Sequence, residues 1–245
     1  MPNTAPDTAN ALASLLVRAE SLLDRLDGFL PRPAVLPDLT ASIAFRWRRR
    51  GGVGALVPVA HPHRIALEDL QGVETQASQI DANTRQFVAG LTANNVLLTG
   101  ARGTGKSSLV KAVLNRYADH GLRLIEVEKM DLVDLPEIVD LVAEQPERFV
   151  IFCDDLSFES DEPGYKALKA ILDGSIAATS ENVLIYATSN RRHLMPEYMH
   201  ENLETKYIGE EVHPGETVEE KISLSERFGL WVSFYPFDQD HYLSI

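Results

Sequence analysis

The residues whose types and spacing could do chemistry are densest at Gly100-Ala101-Arg102-Gly103-Thr104-Gly105-Lys106-Ser107. The glycines allow successive backbone N–H groups to turn inward around an anion, and a helix starting beside them presents its positive dipole end. Lys106 would reach β- and γ-phosphates and Ser107 would offer its hydroxyl to Mg²⁺, with Ser108 next in the opening helix. The apolar run Asn95 to Thr99 before the loop and the amphipathic segment to His120 after it supply the strand and helix that a phosphate-binding P-loop requires.

Two further groups fit the same chemistry. Phe149 to Cys153 is an apolar run that ends in Asp154-Asp155. Asp154 would hold Mg²⁺ through its water shell, and Asp155 would polarise an attacking water. An acid pair at a strand end also occurs as a solvated turn, but a P-loop in the same chain favours the functional reading. Tyr186-Ala187-Thr188-Ser189-Asn190 ends in an amide that can hydrogen-bond a γ-phosphate or the attacking water, or simply form a turn. Arg191 and Arg192 could serve phosphate, a neighbouring molecule or solvent. Cys153, inside the apolar run, reads as a buried small apolar residue and not as a nucleophile.

These groups need elements to hold them. The P-loop helix carries Leu109, Val110, Val113, Leu114 and Tyr117 and stops at Gly121. Strands are expected at 95–99, 122–127, 148–154, 182–188 and 230–237, with helices over 74–89, 130–144 and 164–172 between them. Alternating strands and helices imply an α/β fold, a mostly parallel five-stranded sheet with helices on both faces and ligands at the carboxyl ends of the strands.

Upstream, residues 1–10 read as a frayed start. Leu12, Leu15, Leu16, Ala19, Leu22, Leu23, Leu26, Phe29 and Leu30 recur at spacings of three and four and define a helix ended by Pro31 and Pro33. That stripe would be core or a helix-packing seam, with another subunit as one available partner. Residues 31–64 hold five prolines, the run Arg46-Trp47-Arg48-Arg49-Arg50 and Gly51-Gly52-Val53-Gly54. Residues 1–64 are thus read as a helical and proline/arginine-rich extension, and 65–245 as the nucleotide-binding core.

The net charge is −13, from 23 basic and 36 acidic residues, which argues against a surface built to hold nucleic acid. The arginine run could still neutralise phosphates while Trp47 stacks on a base. The acidic balance favours arginines paired with carboxylates of the same protein or of a neighbour. His61 and His63 lack a second pair at metal-site spacing and read as loop histidines. One cysteine excludes an intramolecular disulfide framework, and no apolar run approaches a membrane span, so a cytoplasmic setting is expected.

Taken together, Gly100 to Ser107, Asp154-Asp155, Asn190 and Ser225-Glu226-Arg227-Phe228-Gly229 resemble the Walker A, Walker B, sensor-1 and arginine-finger elements of the AAA+ ATPases. More narrowly, Asn94 to Leu98, Phe152 to Glu159 and Ser223 to Trp231 look like a bacterial AAA-type family known as a domain of unknown function, number eight-one-five. The resemblance implies a P-loop NTPase with sheet order 5-1-4-3-2 and ATP and Mg²⁺ as cofactors. It also implies a homo-oligomer in which Arg227 points at a neighbour's γ-phosphate, an adenine wall from Leu67 to Val73, and a protein client to be remodelled or loaded. A nucleotide-gated module with little hydrolysis is the alternative.

Three departures qualify it. The second acid is Asp155 where most such proteins have Glu, with Glu159 a nearby substitute. The 191–226 connection is long and acidic, nine Glu from Glu197 to Glu226 against Lys206 and Lys221, either a client-contacting insertion or a solvated loop. Asp238 to Ile245 looks like a helix beginning, so the helical lid of the resemblance is expected to be absent or truncated.

Overall fold

A computed structural model describes residues 5–27, 36–50, 52–158, 162–174, 181–190, 194, 206–208, 211–213 and 224–236. Arg191, Arg192, Glu159, most of the acidic connection and the 238–245 segment lie outside the described residues.

The strands are short and carry alternating side chains that bury on both faces. In β3 (Val96–Gly100), Leu97 joins one core while Val96 and Leu98 join the other. In β5 (Arg148–Cys153), Phe149, Ile151 and Cys153 face the first core, and Val150 and Phe152 the second. This period of two in a strand with no polar face forces helices onto both sides of the sheet. Helices α2 (Glu74–Val88) and α3 (Lys106–Tyr117) cover one side through Ile80, Phe87, Leu109 and Val113. Helices α4 (Leu135–Val142) and α5 (Pro163–Leu172) cover the other through Ile138, Val142, Tyr165 and Leu168.

With β1 (Ala44–Arg50), β2 (Val53–Pro58), β4 (Leu122–Glu126), β6 (Val183–Ser189) and β9 (Leu230–Phe234), the main sheet runs β2-β1-β4-β5-β6-β3-β9. Only β2 is antiparallel to its neighbour. The expected five-stranded sheet is therefore corrected to a mixed one of seven strands. The five expected strands are contiguous in the order β9-β3-β6-β5-β4, and the hairpin β1–β2 extends the sheet beyond β4.

That hairpin comes from residues assigned to the extension, and its burial explains both the error and the fold. Phe45, Trp47 and Leu56 enter the core, while the arginines between them meet carboxylates of β4 and the following segment. An arginine-rich run hides a period-two pattern when its charges are answered within the chain. A close approach also shapes the turn: a Cβ on Gly54 would lie 1.9 Å from the Trp47 ring.

Smaller differences follow. The 130–144 helix begins as a 3-10 segment, Lys129–Asp134, and becomes α-helical at Leu135, with Pro136 in the first turn. Helix α1 (Ala5–Asp27) starts within the stretch expected to fray. In the acidic connection, β7 (Lys206–Ile208) and β8 (Glu211–His213) form a separate antiparallel pair.

Candidate functional site

Parallel pairing in the order β5-β6-β3 sets three strand ends side by side. Gly100 ends β3, Asp154-Asp155 follow β5, and Asn190 follows β6. Each segment reaches the same sheet edge because its apolar run is pinned in register, Leu98 beside Thr188 and Cys153 beside Ala187.

Gly100 leaves the strand at φ 138°, where a Cβ would lie 2.0 Å from the Phe234 carbonyl oxygen, so only glycine lets β9 pass. Thr104 closes the turn, its hydroxyl donating to the Ala101 carbonyl at 2.8 Å. Gly105 caps α3 in the left-handed region at φ 89°. Helix α3 then starts at Lys106 with its first backbone N–H groups unpaired within the helix and facing the loop.

Lys106 is 6% exposed. Its ammonium donates to the carbonyls of Gly100 at 2.8 Å and Ala101 at 2.7 Å, and to Asn190 Oδ1 at 3.1 Å. Burial holds its pKa below the ordinary lysine value, against the opposing pull of Asp154 and Asp155. A buried cation among carbonyl oxygens is a strong receptor for an anion.

The acid pair is tied into the same network. Ser107 Oγ donates to Asp154 Oδ1 at 2.6 Å, and Thr188 Oγ1 donates to the same oxygen at 2.5 Å. The backbone N–H of Asp155 donates to Thr188 Oγ1 at 2.9 Å. Asn190 Nδ2 donates to Asp155 Oδ1, and Arg102 Nη2 donates to Asp155 Oδ2 at 3.2 Å. Asp155 has φ 52°, the one positive φ among the described non-glycine residues. That strain is of a kind found where surrounding bonds impose a conformation.

The structure thus brings together Lys106, Ser107, Asp154, Asp155, Asn190 and the loop from Gly100 to Gly105, with Ser108 in the first turn of α3 behind them. It does not bring Arg227 to them. Gly100 lies beside Phe234, at one end of β9, whereas Arg227 precedes Leu230 at the other, about 17 Å away at strand rise. There Arg227 Nε donates to Asp173 Oδ1, at the C-terminus of α5.

Two participants escaped the sequence reading. Thr188 links both carboxylates, and its signal was a hydroxyl two residues before the strand-end amide, hence on the same side of the chain. Arg102, read as part of the loop, is the ion-pair partner of Asp155. Cys153 is fully buried, and burial first, then Asp154, pushes its thiol up to about 12, which suits an inert core residue.

The donor set suits one hard cation held jointly with phosphates. A hydroxyl and a carboxylate oxygen lie 2.6 Å apart at Ser107 and Asp154, and no cluster of three or more His, Cys, Asp or Glu gathers for a metal among the described residues. Upstream, Asn115 of α3 secures the 63–73 segment, its amide donating to the carbonyls of His63 at 2.8 Å and Ile65 at 3.0 Å. No helix among the described residues is long and apolar enough to cross a membrane.

Two solved structures resemble this chain. The Orc1 protein of Aeropyrum pernix in complex with DNA aligns at 16% identity over 71% of this chain and 48% of its own, with a TM-score of 0.49. DnaI aligns at 21% identity over 73% of this chain and 90% of its own, with a TM-score of 0.44. The chain spans about half the length of that Orc1 protein. No curated protein matches the sequence significantly. Residues 40–245 match the family described as "Protein of unknown function (DUF815)", most of the chain, and the chain belongs to that family.

Proposed function

We propose that the protein binds ATP with Mg²⁺ and hydrolyses it as an AAA+ type ATPase, coupling the cycle to remodelling or loading of a protein partner. The observation that carries this reading is the single hydrogen-bonded network joining Lys106, Ser107, Asp154, Thr188, Asp155 and Asn190 at one sheet edge.

In this reading the β- and γ-phosphates take the places now held by the Gly100 and Ala101 carbonyls on the Lys106 ammonium. The N-terminus of α3 faces the same charge. Ser107 and Asp154 would hold Mg²⁺, which when bound neutralises phosphate charge and bridges β- and γ-oxygens. Asp155 would take up hydrogen bonding from an in-line water after Arg102 moves from its carboxylate to phosphate. Asn190 would orient that water or the γ-phosphate, and Leu67 to Val73 would wall the adenine. Arg227, too far to serve its own site, would reach the γ-phosphate of a neighbouring copy. Arginines supplied in this way are worth on the order of 10³ to 10⁵ in rate in other P-loop enzymes.

One observation favours a second reading, a nucleotide-gated module with little turnover. Both oxygens of the Asp155 carboxylate are engaged, by Asn190 and Arg102, so the candidate base must be released before it can act.

Titration calorimetry with ATP and Mg²⁺, alongside phosphate release, tests both. Micromolar binding lost in Lys106→Ala together with steady phosphate release supports the ATPase. Binding without release supports the gated module. Absence of ATP binding by the wild-type chain overturns both.

A further inference from the structure

Helix α1 lies outside the residues matched by the family and takes no part in the nucleotide network. Its apolar residues fall on an unbroken seven-residue repeat. Leu12, Ala19 and Leu26 share one position, Leu15 and Leu22 a second, and Leu16 and Leu23 a third. Within a helix these three positions form one continuous stripe. Leu12, Leu15, Leu16, Leu22 and Leu23 are 57–67% exposed. So many exposed leucines in one row are a contact surface waiting for a partner.

Charge decides among the partners. Asp7, Glu20, Asp24 and Asp27 outnumber Arg18 and Arg25 on α1. An interfacial membrane helix needs the opposite balance, rich in Lys and Arg. The apolar groove of about 650 Å³ on the body is lined by Leu91, Ile171 and Leu172 but rimmed by Asp140, Asp173 and Glu181 against Arg148, so docking α1 there sets acids against acids. A second α1 meets neither objection. Glu20, Asp24 and Asp27 lie at repeat positions away from the stripe, and Arg18 and Arg25 flank it, where their alkyl stems can cover leucine. A stripe that keeps an identical seven-residue period is also what two equal helices need in order to stay in register.

We propose that α1 is a self-association element, its leucine stripe packing against the same stripe of a second copy of this chain. This contact needs no nucleotide. It is separate from the Arg227 edge, and either can fail without the other.

Because the native Cys153 is fully buried, an introduced cysteine reports the contact cleanly. Ala19→Cys sits at the centre of the stripe, and Val17→Cys lies on the opposite side of the helix. In nucleotide-free, full-length protein under mild oxidation, Ala19→Cys should form a disulfide-linked dimer and Val17→Cys should not. Light scattering should give a mass above the 27.2 kDa of one chain, falling to one chain in Leu15→Glu/Leu22→Glu. That variant should keep its native circular dichroism and thermal transition, so a change in mass is not a loss of fold. A single-chain wild type, equal crosslinking at positions 17 and 19, or an unchanged mass in the double variant would overturn the proposal. So would α1-dependent flotation with anionic phosphatidylserine vesicles, which would assign the stripe to a membrane.

Discussion

Thr188 shows how one hydroxyl can set the geometry of two acids. It donates to Asp154 and accepts from the backbone of Asp155, and Asp155 sits at a positive φ that it would not adopt unaided. Removing the hydroxyl leaves the Asp154 carboxylate with the Ser107 donor and frees the Asp155 turn to relax. Partners one step removed from a metal typically contribute 10- to 100-fold in affinity. Thr188→Val is therefore expected to weaken Mg²⁺ binding to the ATP complex by about tenfold, while ATP binding without Mg²⁺ changes little. A Mg²⁺ titration of the ATP-loaded protein measures this, and Thr188→Ser should restore wild-type behaviour. Equal Mg²⁺ affinity in Thr188→Val and wild type would reduce Thr188 to a packing residue.

At the scale of elements, the β1–β2 hairpin is the part of the sheet with the most unusual composition. It is held by one buried indole and a row of ion pairs. Trp47 Nε1 donates to Asp134 Oδ2 at 2.9 Å, and Arg49 approaches the same carboxylate at 3.4 Å. The Asp134 side chain is 8% exposed, so losing a donor there carries a desolvation cost that a surface pair would not. Trp47→Phe keeps an aromatic ring in the core and removes the N–H. It should destabilise the protein by about 1–3 kcal/mol, read as a lower urea midpoint with an unchanged slope. A midpoint equal to that of wild type would mean that Arg49 alone satisfies Asp134.

Across the whole molecule, charge is distributed so that the basic run is answered internally. Arg46 pairs with Glu126, Arg48 with Glu128 and Arg49 with Asp134. These arginines are therefore poor candidates for phosphate neutralisation, and the rest of a chain at −13 repels polyanions. Binding of a fluorescent random-sequence duplex at physiological salt is expected to be weaker than about 10⁻⁴ M, the weak limit of ordinary non-specific binding. Fluorescence anisotropy checks this. Micromolar binding lost on Arg46→Glu/Arg48→Glu would mean that the pairs open for nucleic acid.

How far the protein was legible in its sequence differs from residue to residue. The P-loop, the acid pair at the end of β5 and the amide at the end of β6 could be read directly, because each is a local pattern: glycines at fixed offsets, or an apolar run followed by a polar group. The five alternating strands were legible for the same reason. The hairpin was not, because Trp47 and Phe45 are core residues only by virtue of carboxylates at 126, 128 and 134 that are remote in sequence. Nor was Thr188, whose role needs Asp154 and Asp155 delivered by a different strand, nor the pairing of Arg102 with Asp155 across 53 residues. Sequence by itself determined which groups this protein carries for phosphate and metal, since backbone conformation and strand periodicity are set by near neighbours. Tertiary structure alone decided which of them share a hydrogen bond and which charges are already spent, since both depend on strand order and register, set by non-local pairing.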